Sequence, residues 1–510
     1  MSTAPSFDAS KDFDVVVIGG GPGGYPAAKR AAQLGARVAI VEADNLGGTC
    51  LNWGCIPTKT MIASVSALHT MKTAKDFGLS CDNVSVDFPA LMDRKDKIVG
   101  QLVSGIGFLM GNVKVPGPDG KPVKKVVKVF NGYGSIKDKN TVEIKNAEGA
   151  VETITTANII VATGSVPTKL PIPGIDSADV WIPNSEVKAR KAAGTLAAGP
   201  VWTSNEAVSA KQIPGDLVII GGGVIGVEFA YTYHGLGSKV TVLEFLPRII
   251  ATMDEDLSKE LARTMGKAGI TIKTGTGVTK VEDGANGKKL VTFKDGDGKE
   301  GSVEADVVLV ATGRTPYTEG LGLEGVGIEL GSPKGRRAIP VNDIMQTSVP
   351  NIYAIGDVVG SGLAHTAKAE GEVAAEVICG HKATMSYKAI PSCIYTEPEV
   401  AGVGLTEAQA KEKGYEVKTG RFDFRTLAKA MAINSKDGFV KVVADAKYGE
   451  ILGVHIIGPH ATDLIMEAVV SIQLENTVEE LMKTIHAHPS LAEALGEANA
   501  DVLGLAIDKG

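Results

Sequence analysis

The pattern G-x-G-x-x-G occurs twice in this chain, each time directly after a short apolar run. Its glycines are Gly19, Gly21 and Gly24 in the first copy and Gly221, Gly223 and Gly226 in the second. A second apolar run follows each copy and ends in an acid, Glu42 or Glu244. In a dinucleotide-binding unit the turn approaches the pyrophosphate, the helix N-terminus faces the anion and the acid binds a ribose. The repeat therefore predicts two dinucleotide-binding folds in one chain.

The strands and helices around the two turns follow from the apolar runs. First strands are predicted over 13–18 and 217–220, and the helices after them over 26–34 and 227–236. After residue 387 strands mix with amphipathic helices, which indicates an α+β module suited to subunit contacts. The predicted fold class is α/β, with two Rossmann-like domains plus a C-terminal α+β dimerisation domain.

Length, charge and cysteine content exclude several classes of protein. A chain of 510 residues can hold three or four domains. Its formal net charge of −7 argues against binding to nucleic acid or to an acidic membrane surface. The sequence has no apolar stretch long enough to span a membrane, and residues 1–13 do not resemble a targeting segment, so we expect a cytoplasmic protein. Five cysteines do not make a secreted disulfide framework, and a disulfide kept in a reducing compartment is more often catalytic than structural.

Two of these cysteines, Cys50 and Cys55, lie five positions apart just after the first unit. Five residues of regular helix span about 7.5 Å along the axis, whereas the Cα atoms of a disulfide lie within about 7 Å. A bond between them would need an irregular helix start, for which Gly54 and Pro57 are suitable. A thiol at a helix N-terminus is also activated, because the dipole favours its thiolate. From the spacing alone, a reactive pair and two structural cysteines both remain open.

Other candidates for chemistry lie near predicted helix starts. Pro489 suits a first helical turn, which would place His488 near the cap and Glu493 one to two turns in. A histidine beside a carboxylate can act as a general base, and a capping histidine with an exposed glutamate is the alternative. Asp357 precedes a helix predicted over 364–380, where it could bind a sugar or ribityl hydroxyl or serve only as a cap.

The acid of the second unit bears on the choice of nicotinamide dinucleotide. A carboxylate at Glu244 can bind a ribose 2′-hydroxyl but would repel a 2′-phosphate, which is usually bound by arginine. NAD is therefore favoured over NADP. Arg248, four residues further on, leaves NADP open.

Four motifs together resemble those of the flavin-dependent pyridine nucleotide–disulfide oxidoreductases, and within that family the dihydrolipoyl dehydrogenases. They are Gly-Gly-Thr-Cys-Leu-Asn-Trp-Gly-Cys-Ile-Pro-Thr-Lys at 47–59, Gly-Val-Ile-Gly-Val-Glu at 223–228, Ala-Ile-Gly-Asp at 354–357 and His-Ala-His-Pro-Ser-Leu-Ala-Glu at 486–493. The likeness covers nearly the whole chain and implies FAD and NAD as cofactors. It implies an FAD-binding domain over 1–180, an NAD-binding domain over 181–318, a central domain completing the FAD site over 319–386 and an interface domain over 387–510.

The resemblance also implies roles for the catalytic residues. Cys50 would be the interchange thiol that meets the substrate, and Cys55 the charge-transfer thiol against the flavin. His488, oriented by Glu493, would be the acid–base catalyst, donated across a homodimer interface into the partner's site.

The resemblance further implies two sets of cofactor contacts, with Lys59 and Glu228 as the pair that holds the flavin edge. The implied FAD contacts are Gly19, Gly21, Gly24, Glu42, Thr49, Lys59, Gly134, Thr163, Gly164, Ser165, Asp357, Leu363, Ala364 and His365. The implied NAD contacts are Gly221, Gly223, Gly226, Glu228, Glu244, Val278 and Gly313. No metal site is expected.

The implied activity is oxidation of protein-bound dihydrolipoamide, with lipoyl domains and the acyltransferase core of 2-oxoacid dehydrogenase complexes, or the glycine cleavage system, as partners. Glutathione-like reductases would use NADPH, against which Glu244 argues. Mercuric reductases would carry a C-terminal cysteine pair, which 503–510 lacks, and flavin transhydrogenases of related fold lack the redox pair. A mainly structural component of a large complex is a further alternative.

Two segments depart from the family pattern. A lysine-rich stretch over 115–129 is predicted to form a longer basic hairpin than is usual, and 183–204 is predicted to be an insertion before the second unit. Each could serve a partner surface, and a solvated loop is the alternative.

Overall fold

A computed structural model describes residues 8–117, 121–175, 190, 192–193, 199–331 and 337–509 of the chain. Within those ranges it contains no helix that is both long and apolar enough to cross a membrane. The boundary at 180/181 and most of the segment 183–204 lie outside the described residues, so the division into four domains and the insertion stay predictions.

The first unit is built on a mixed sheet with helices against it. Its strands are β1 (Phe13–Ile18), β2 (Val38–Glu42), β3 (Val113–Pro116), β4 (Pro122–Lys125), β5 (Lys128–Asn131), β6 (Tyr133–Asp138), β7 (Thr141–Lys145), β8 (Val151–Val161) and β9 (Ser165–Pro167). Its helices are α1 (Gly24–Gln33), α2 (Gly48–Trp53), α3 (Cys55–Lys72) and α4 (Phe88–Gly111). The sheet has the order β5-β2-β1-β8-β7-β6, in which β1 pairs in parallel with both β2 and β8.

The second unit repeats the strand–turn–helix–strand arrangement. Its strands are β10 (Val201–Trp202), β11 (Asp216–Ile220), β12 (Lys239–Leu243), β13 (Thr271–Lys273), β14 (Gly277–Asp283), β15 (Lys289–Lys294), β16 (Glu300–Ala305), β17 (Val307–Val310) and β18 (Arg314–Pro316). Its helices are α5 (Ser204–Ala207), α6 (Val224–Leu236) and α7 (Glu255–Ala268). A five-stranded parallel sheet has the order β10-β17-β11-β12-β13, and β18 pairs with β9 of the first unit.

The remaining elements complete the first sheet and form a separate C-terminal sheet. They are β19 (Ile352–Ala354), α8 (Ala364–Ile378), β20 (Ser392–Ile394), β21 (Glu399–Gly404), α9 (Glu407–Glu412), β22 (Val417–Asp423), α10 (Ala428–Ala432), β23 (Phe439–Asp445), β24 (Ile451–Gly458), α11 (Ala461–Gln473), α12 (Val478–Lys483) and α13 (Glu493–Val502). The strand β19 pairs in parallel with β8, so it returns to the first sheet. The C-terminal sheet is antiparallel, with the order β20-β21-β24-β23-β22.

Both glycine turns depend on a close backbone contact between the turn and the following helix. A Cβ atom on Gly24 would lie 1.9 Å from the carbonyl oxygen of Gly19, and one on Gly226 would lie 1.9 Å from that of Gly221. Gly19 and Gly221 also have φ values of 105° and 110°, which L-side chains rarely adopt. The same steric requirement therefore produces the same turn in both units.

One apolar cluster joins the parts that carry the two turns to the C-terminal sheet. It includes Met61 on α3, Phe229 on α6 and Phe439 on β23, all almost fully buried. Because packed interiors resist deformation, this shared core fixes the orientation of the two nucleotide units.

Two local predictions need correction. The lysine-rich hairpin ends at Lys125, because Lys128–Asn131 pairs with β2 as the edge of the first sheet rather than extending the hairpin. The C-terminal helix begins at Glu493 and not at Pro489. The Glu493 side chain accepts the backbone N–H of Ser490, so this turn is held by a carboxylate and not by helical bonds.

The buried hydroxyl of Tyr233 on α6 provides a test of this packing. Its ring lies 6.0 Å from that of Trp202, and its hydroxyl donates to the carbonyl oxygen of Ala207 at 2.6 Å. Tyr233→Phe would leave that carbonyl without its donor, at a cost of about 1–3 kcal/mol in the free energy of unfolding, measured in urea. The exposed Tyr448 supplies the control, and equal unfolding of Tyr233→Phe and Tyr448→Phe would contradict the prediction.

Candidate active site

A continuous cleft of about 3380 Å³ opens at the carboxyl ends of the parallel strands of both units. Both glycine turns line it, together with Cys50, Cys55 and Lys59. Crevices at the carboxyl ends of parallel strands are where open α/β sheets bind ligands. The cleft therefore brings the two predicted nucleotide sites and the cysteine pair into one space.

Cys50 and Cys55 are joined by a disulfide, with their Cα atoms 4.7 Å apart. The helix does not continue through the pair. It stops at Trp53, passes through Gly54 with φ −140° and ψ −104°, and restarts at Cys55. The irregularity expected at Gly54 is therefore the feature that brings the two sulfurs together. Cys55 is the first residue of the 18-residue helix α3, whose dipole favours its thiolate once the bond is reduced.

An ion pair lies beside the disulfide. Lys59 Nζ, one turn after Cys55, contacts both carboxylate oxygens of Glu228 at 2.8 Å. Glu228 is buried on α6 of the second unit, and its Oε1 also accepts the backbone N–H of Tyr395 at 3.1 Å. The Lys59 ammonium lies 4.6 Å from the centre of the Tyr395 ring. This ion pair therefore connects the helix of the cysteine pair to the second unit and to the C-terminal part.

The first glycine turn has the shape and the hydrogen-bonding groups that a dinucleotide needs. A Cβ atom on Gly48 would lie 2.7 Å from Gly21 Cα, so a side chain would fill the gap between the two segments. Glu42 Oε2 accepts the N–H of Gly20 and Oε1 that of Asp44, both at 2.7 Å, which leaves lone pairs for a ribose hydroxyl. Burial raises the pKa of Glu42, and the backbone hydrogen bonds oppose that shift. These residues fit an FAD ribose and pyrophosphate.

A partly buried hydrogen-bonded chain holds Asp357 at the other end of this site. Ser165 Oγ donates to Asp357 Oδ2 at 2.5 Å, and Arg314 Nε donates to Ser165 Oγ at 2.8 Å. Arg314 also donates to the Ser165 carbonyl at 2.6 Å, across the β9–β18 pair. Sequence reasoning did not single out Arg314, although it directly follows Gly313 at the end of a predicted strand.

The second glycine turn repeats the arrangement of the first. Glu244 accepts the backbone N–H groups of Gly222 and Leu246 and is almost fully buried. The sequence alone did not exclude NADP, because Arg248 lies close to Glu244. In the structure, Arg248 Nη1 donates to the carbonyl of Met253 at 2.9 Å. The second turn therefore offers a dinucleotide the same kind of ribose-binding carboxylate as the first.

His488 and Glu493 form a dyad outside the cleft of their own protomer. His488 Nδ1 lies 2.8 Å from Glu493 Oε1, and 74% of the His488 side chain is exposed. Since the carboxylate can only accept, Nδ1 carries the hydrogen of this bond, so in the neutral ring Nε2 is the nitrogen that can accept a proton. Burial would raise the pKa of Glu493, but hydrogen bonds from Ser490 and His488 hold it below its ordinary value. A neighbouring pair, His486 and Glu467, forms a second contact at 2.9 Å that sequence reasoning did not single out.

The other predicted contacts divide into those that line the cleft and those that do not. The lining includes Gly19, Gly21, Glu42, Thr49, Gly134, Thr163, Gly164, Ser165, Asp357, Leu363, Ala364, His365, Gly221, Gly223, Glu228, Glu244, Val278 and Gly313. Gly24 and Gly226 lie behind it, where they let the helices approach the turns. His365 lines the cleft while its Nε2 donates to the carbonyl of Pro391 at 2.9 Å.

Known proteins match this chain over nearly its whole length. The family described as "Pyridine nucleotide-disulphide oxidoreductase" matches residues 13–371, and its dimerisation domain matches residues 390–499. A dihydrolipoyl dehydrogenase of Mycobacterium leprae is 40% identical over 499 residues, 96% of this chain and 98% of that protein. A leghemoglobin reductase of Glycine max is 40% identical over 492 residues, 96% of this chain and 87% of that protein.

A solved structure is similar across the same extent. It is the Cu(II) complex of RclA, an HOCl-induced flavoprotein disulfide reductase from Escherichia coli. The two chains share 26% identity and a TM-score of 0.80, over 96% of this chain and 99% of RclA.

Counting thiols tests the disulfide directly. Denatured, unreduced protein should titrate three thiols, Cys81, Cys379 and Cys393, and reduction should raise the count to five. In the native protein only exposed Cys81 should react quickly, because burial raises the pKa of Cys379 and of Cys393 to about 11. Cys81→Ser should abolish the fast reaction and Cys379→Ser should not. Five thiols before reduction would refute the bond between Cys50 and Cys55.

Proposed function

This chain belongs to the pyridine nucleotide–disulphide oxidoreductase family, and on that premise we propose that it oxidises protein-bound dihydrolipoamide with NAD+ as the acceptor. It is an oxidoreductase that uses FAD and NAD(H) and carries the family's dimerisation domain. The observation that carries the proposal is the Cys50–Cys55 disulfide at a helix N-terminus, in a cleft shared with both nucleotide turns. Relatives at about 40% identity that bear the name dihydrolipoyl dehydrogenase support the choice of substrate.

The proposed chemistry at the cysteines is thiol–disulfide exchange. One substrate thiolate attacks Cys50 Sγ, the Cys50–Cys55 bond breaks, and Cys55 leaves as a thiolate. The second substrate thiolate then attacks the substrate sulfur bonded to Cys50, which closes the substrate disulfide and releases the Cys50 thiolate. The substrate loses two electrons and two protons. The cysteine pair gains the electrons, the base takes one proton and the released Cys50 thiolate takes the other. The dipole of α3 favours the thiolates that form.

The proposed base is His488 of the partner subunit. Its free Nε2 can accept the proton of a substrate thiol, while Glu493 holds the ring through Nδ1 and stabilises the cation that forms. The dyad is exposed and lies outside its own protomer's cleft, which supports a role in a neighbouring cleft. Under this proposal the 387–510 domain both forms the homodimer and completes each site.

The cofactor roles follow from the two turns. When bound, FAD and NAD+ supply the two-electron acceptor chemistry that no side chain provides. Glu42, Asp357 and the first glycine turn would hold FAD, and Glu244 with the second turn would hold NAD. Lys59, fixed by Glu228, would present a positive charge to the flavin edge beside Cys55.

We propose lipoyl domains and the acyltransferase core of 2-oxoacid dehydrogenase complexes as the protein partners, or the corresponding part of the glycine cleavage system. The names of the relatives support this choice through the substrate that such complexes present. Reduction of another disulfide by NAD(P)H is the competing activity, and the resemblance to RclA is the observation in its favour.

Cysteine and histidine variants test the proposed activity. Flavin-loaded wild type should reduce NAD+ with dihydrolipoamide, and Cys50→Ser should abolish the reaction because it removes the sulfur that the substrate attacks. His488→Gln should lower kcat/KM by roughly 10²–10⁴-fold, the usual contribution of a general base. Steady-state formation of NADH at 340 nm measures both effects.

Cys81→Ser is the matched control, since Cys81 is an exposed thiol outside the cleft lining. It should leave the rate unchanged. If flavin-loaded wild type does not oxidise dihydrolipoamide, the proposed function is wrong. If His488→Gln retains near-normal turnover, His488 is not the base.

Cofactor preference gives an independent test. Because Glu244 would repel a 2′-phosphate, kcat/KM should favour NAD+ over NADP+ by about 10- to 100-fold, or about 1.4–2.8 kcal/mol. Glu244→Ser should narrow that ratio by raising the efficiency with NADP+. Equal efficiencies in the wild type would show that Glu244 does not select the nucleotide.

A further inference from the structure

A buried lysine lies among three carboxylates, far along the chain from the glycine turns. The Lys441 side chain, on β23 of the C-terminal sheet, is 7% exposed. Its Nζ lies 3.1 Å from Asp254 Oδ1, 2.6 Å from Asp256 Oδ2 and 2.9 Å from Glu407 Oε2. Buried charges of this kind are retained only where they are paired and hydrogen-bonded.

These contacts connect the C-terminal sheet to the second nucleotide unit. Asp254 is the N-cap of α7, where Oδ1 accepts the N–H of Asp256 at 3.1 Å. The backbone N–H of Glu407, at the start of α9, lies 3.3 Å from Asp254 Oδ2. Asp254 is therefore bonded from its own helix and from two elements of the C-terminal part.

The segment 244–254 leads directly from the second nucleotide site to this cluster. At one end it is bonded to the glycine turn, since Gly222 donates to Glu244 and Ile250 donates to the Gly222 carbonyl at 2.8 Å. At the other end Met253, which lines the cleft, precedes Asp254. The wall of the second site is thus held between the glycine turn and Lys441.

The charged forms of Lys441 and Asp254 are favoured in the folded protein. Burial would lower the pKa of Lys441, but hydrogen bonds to Asp256 and Glu407 outweigh it and raise the pKa. Burial would raise the pKa of Asp254, but attraction to His455 and Lys441 and a backbone hydrogen bond hold it below its ordinary value. Loss of the lysine would leave carboxylates buried without their counter-charge.

Space for the segment to move lies beside it. A cavity of about 120 Å³ is lined by residues that include Thr252, Met253, Asp254 and His455. His455 Nε2 donates to the carbonyl of Leu405 at 3.0 Å, which fixes that ring beside the cavity. The end of the segment therefore borders unfilled space.

We propose that Lys441 is a positioning residue for the second nucleotide site: through Asp254 it holds the segment 244–254 in the conformation that binds NAD(H). The inference rests on the assignment of that site to NAD(H) in the proposed function. Lys441 acts through the segment and does not contact the nucleotide. Its loss therefore affects nucleotide binding and leaves the dithiol reaction at Cys50 unchanged.

The test compares nucleotide binding with flavin reduction by dithiol in the flavin-loaded protein. Lys441→Met keeps the length of the side chain and removes its charge. It should weaken binding of NADH, titrated directly, by about 5- to 100-fold, the usual range of coupling between sites. The rate at which dihydrolipoamide bleaches the flavin, measured by anaerobic stopped flow without NAD+, should stay within about twofold. Lys441→Arg should restore most of the affinity.

Two further variants distinguish a specific effect on NADH binding from a general loss of structure. Lys388→Met breaks ion pairs with Glu475 and Glu450, which lie in the C-terminal part, and should leave NADH affinity unchanged. Asp254→Asn keeps the helix cap and removes the one carboxylate through which Lys441 holds the segment, so it should weaken NADH binding in the same way. Adding it to Lys441→Met should cause no further loss. If Lys441→Met does not yield flavin-loaded protein, Asp254→Asn decides the question.

Unchanged NADH affinity in folded Lys441→Met, or in Asp254→Asn when the lysine variant does not fold, overturns the inference. An equal loss in Lys388→Met overturns it too, because the effect would then be unspecific. Failure of dihydrolipoamide to bleach the flavin of the wild type would instead refute the proposed substrate. The NADH titrations would still decide the role of Lys441.

Discussion

The ion pair between Lys59 and Glu228 is the interaction on which the arrangement of the site depends. Lys59 follows Cys55 by one helical turn, Glu228 lies on the helix after the second glycine turn, and Tyr395 of the C-terminal part donates to the same carboxylate. Glu228 is buried, and the Lys59 ammonium and the Tyr395 N–H supply the hydrogen bonds that its oxygens need there. One carboxylate thereby sets the distance between the disulfide, the second nucleotide turn and the C-terminal sheet.

A second ionic connection, around Lys441, joins the same two parts at a different place. Lys59 holds Glu228 of the second unit beside the disulfide, and Lys441 holds the segment 244–254 through Asp254. Two separated points of attachment restrict rotation of the second unit against the C-terminal sheet, which one point would leave free. The apolar cluster that includes Phe229 and Phe439 fills the space between them.

Much of the site was predictable because it depends on local sequence. A side chain on Gly24 or Gly226 would collide with the backbone carbonyl five residues earlier, and Gly19 and Gly221 have positive φ values, so the local glycine spacing specifies the turn. Other parts were not predictable from such local rules. The start of the last helix at Glu493 depends on a side-chain bond to Ser490, which competes with the proline signal four residues earlier.

The sequence by itself determined the two dinucleotide folds, the candidate cysteine pair and the family, because each rests on residues close together in the chain. Only the tertiary structure decided that Arg248 is bonded to the Met253 carbonyl, that Arg314 and Ser165 hold Asp357, and that Lys441 reaches Asp254. Lys441 and Asp254 are far apart in sequence and follow no periodic pattern. Their pairing arises when folding buries both charges at one interface, where each becomes the other's necessary counter-charge.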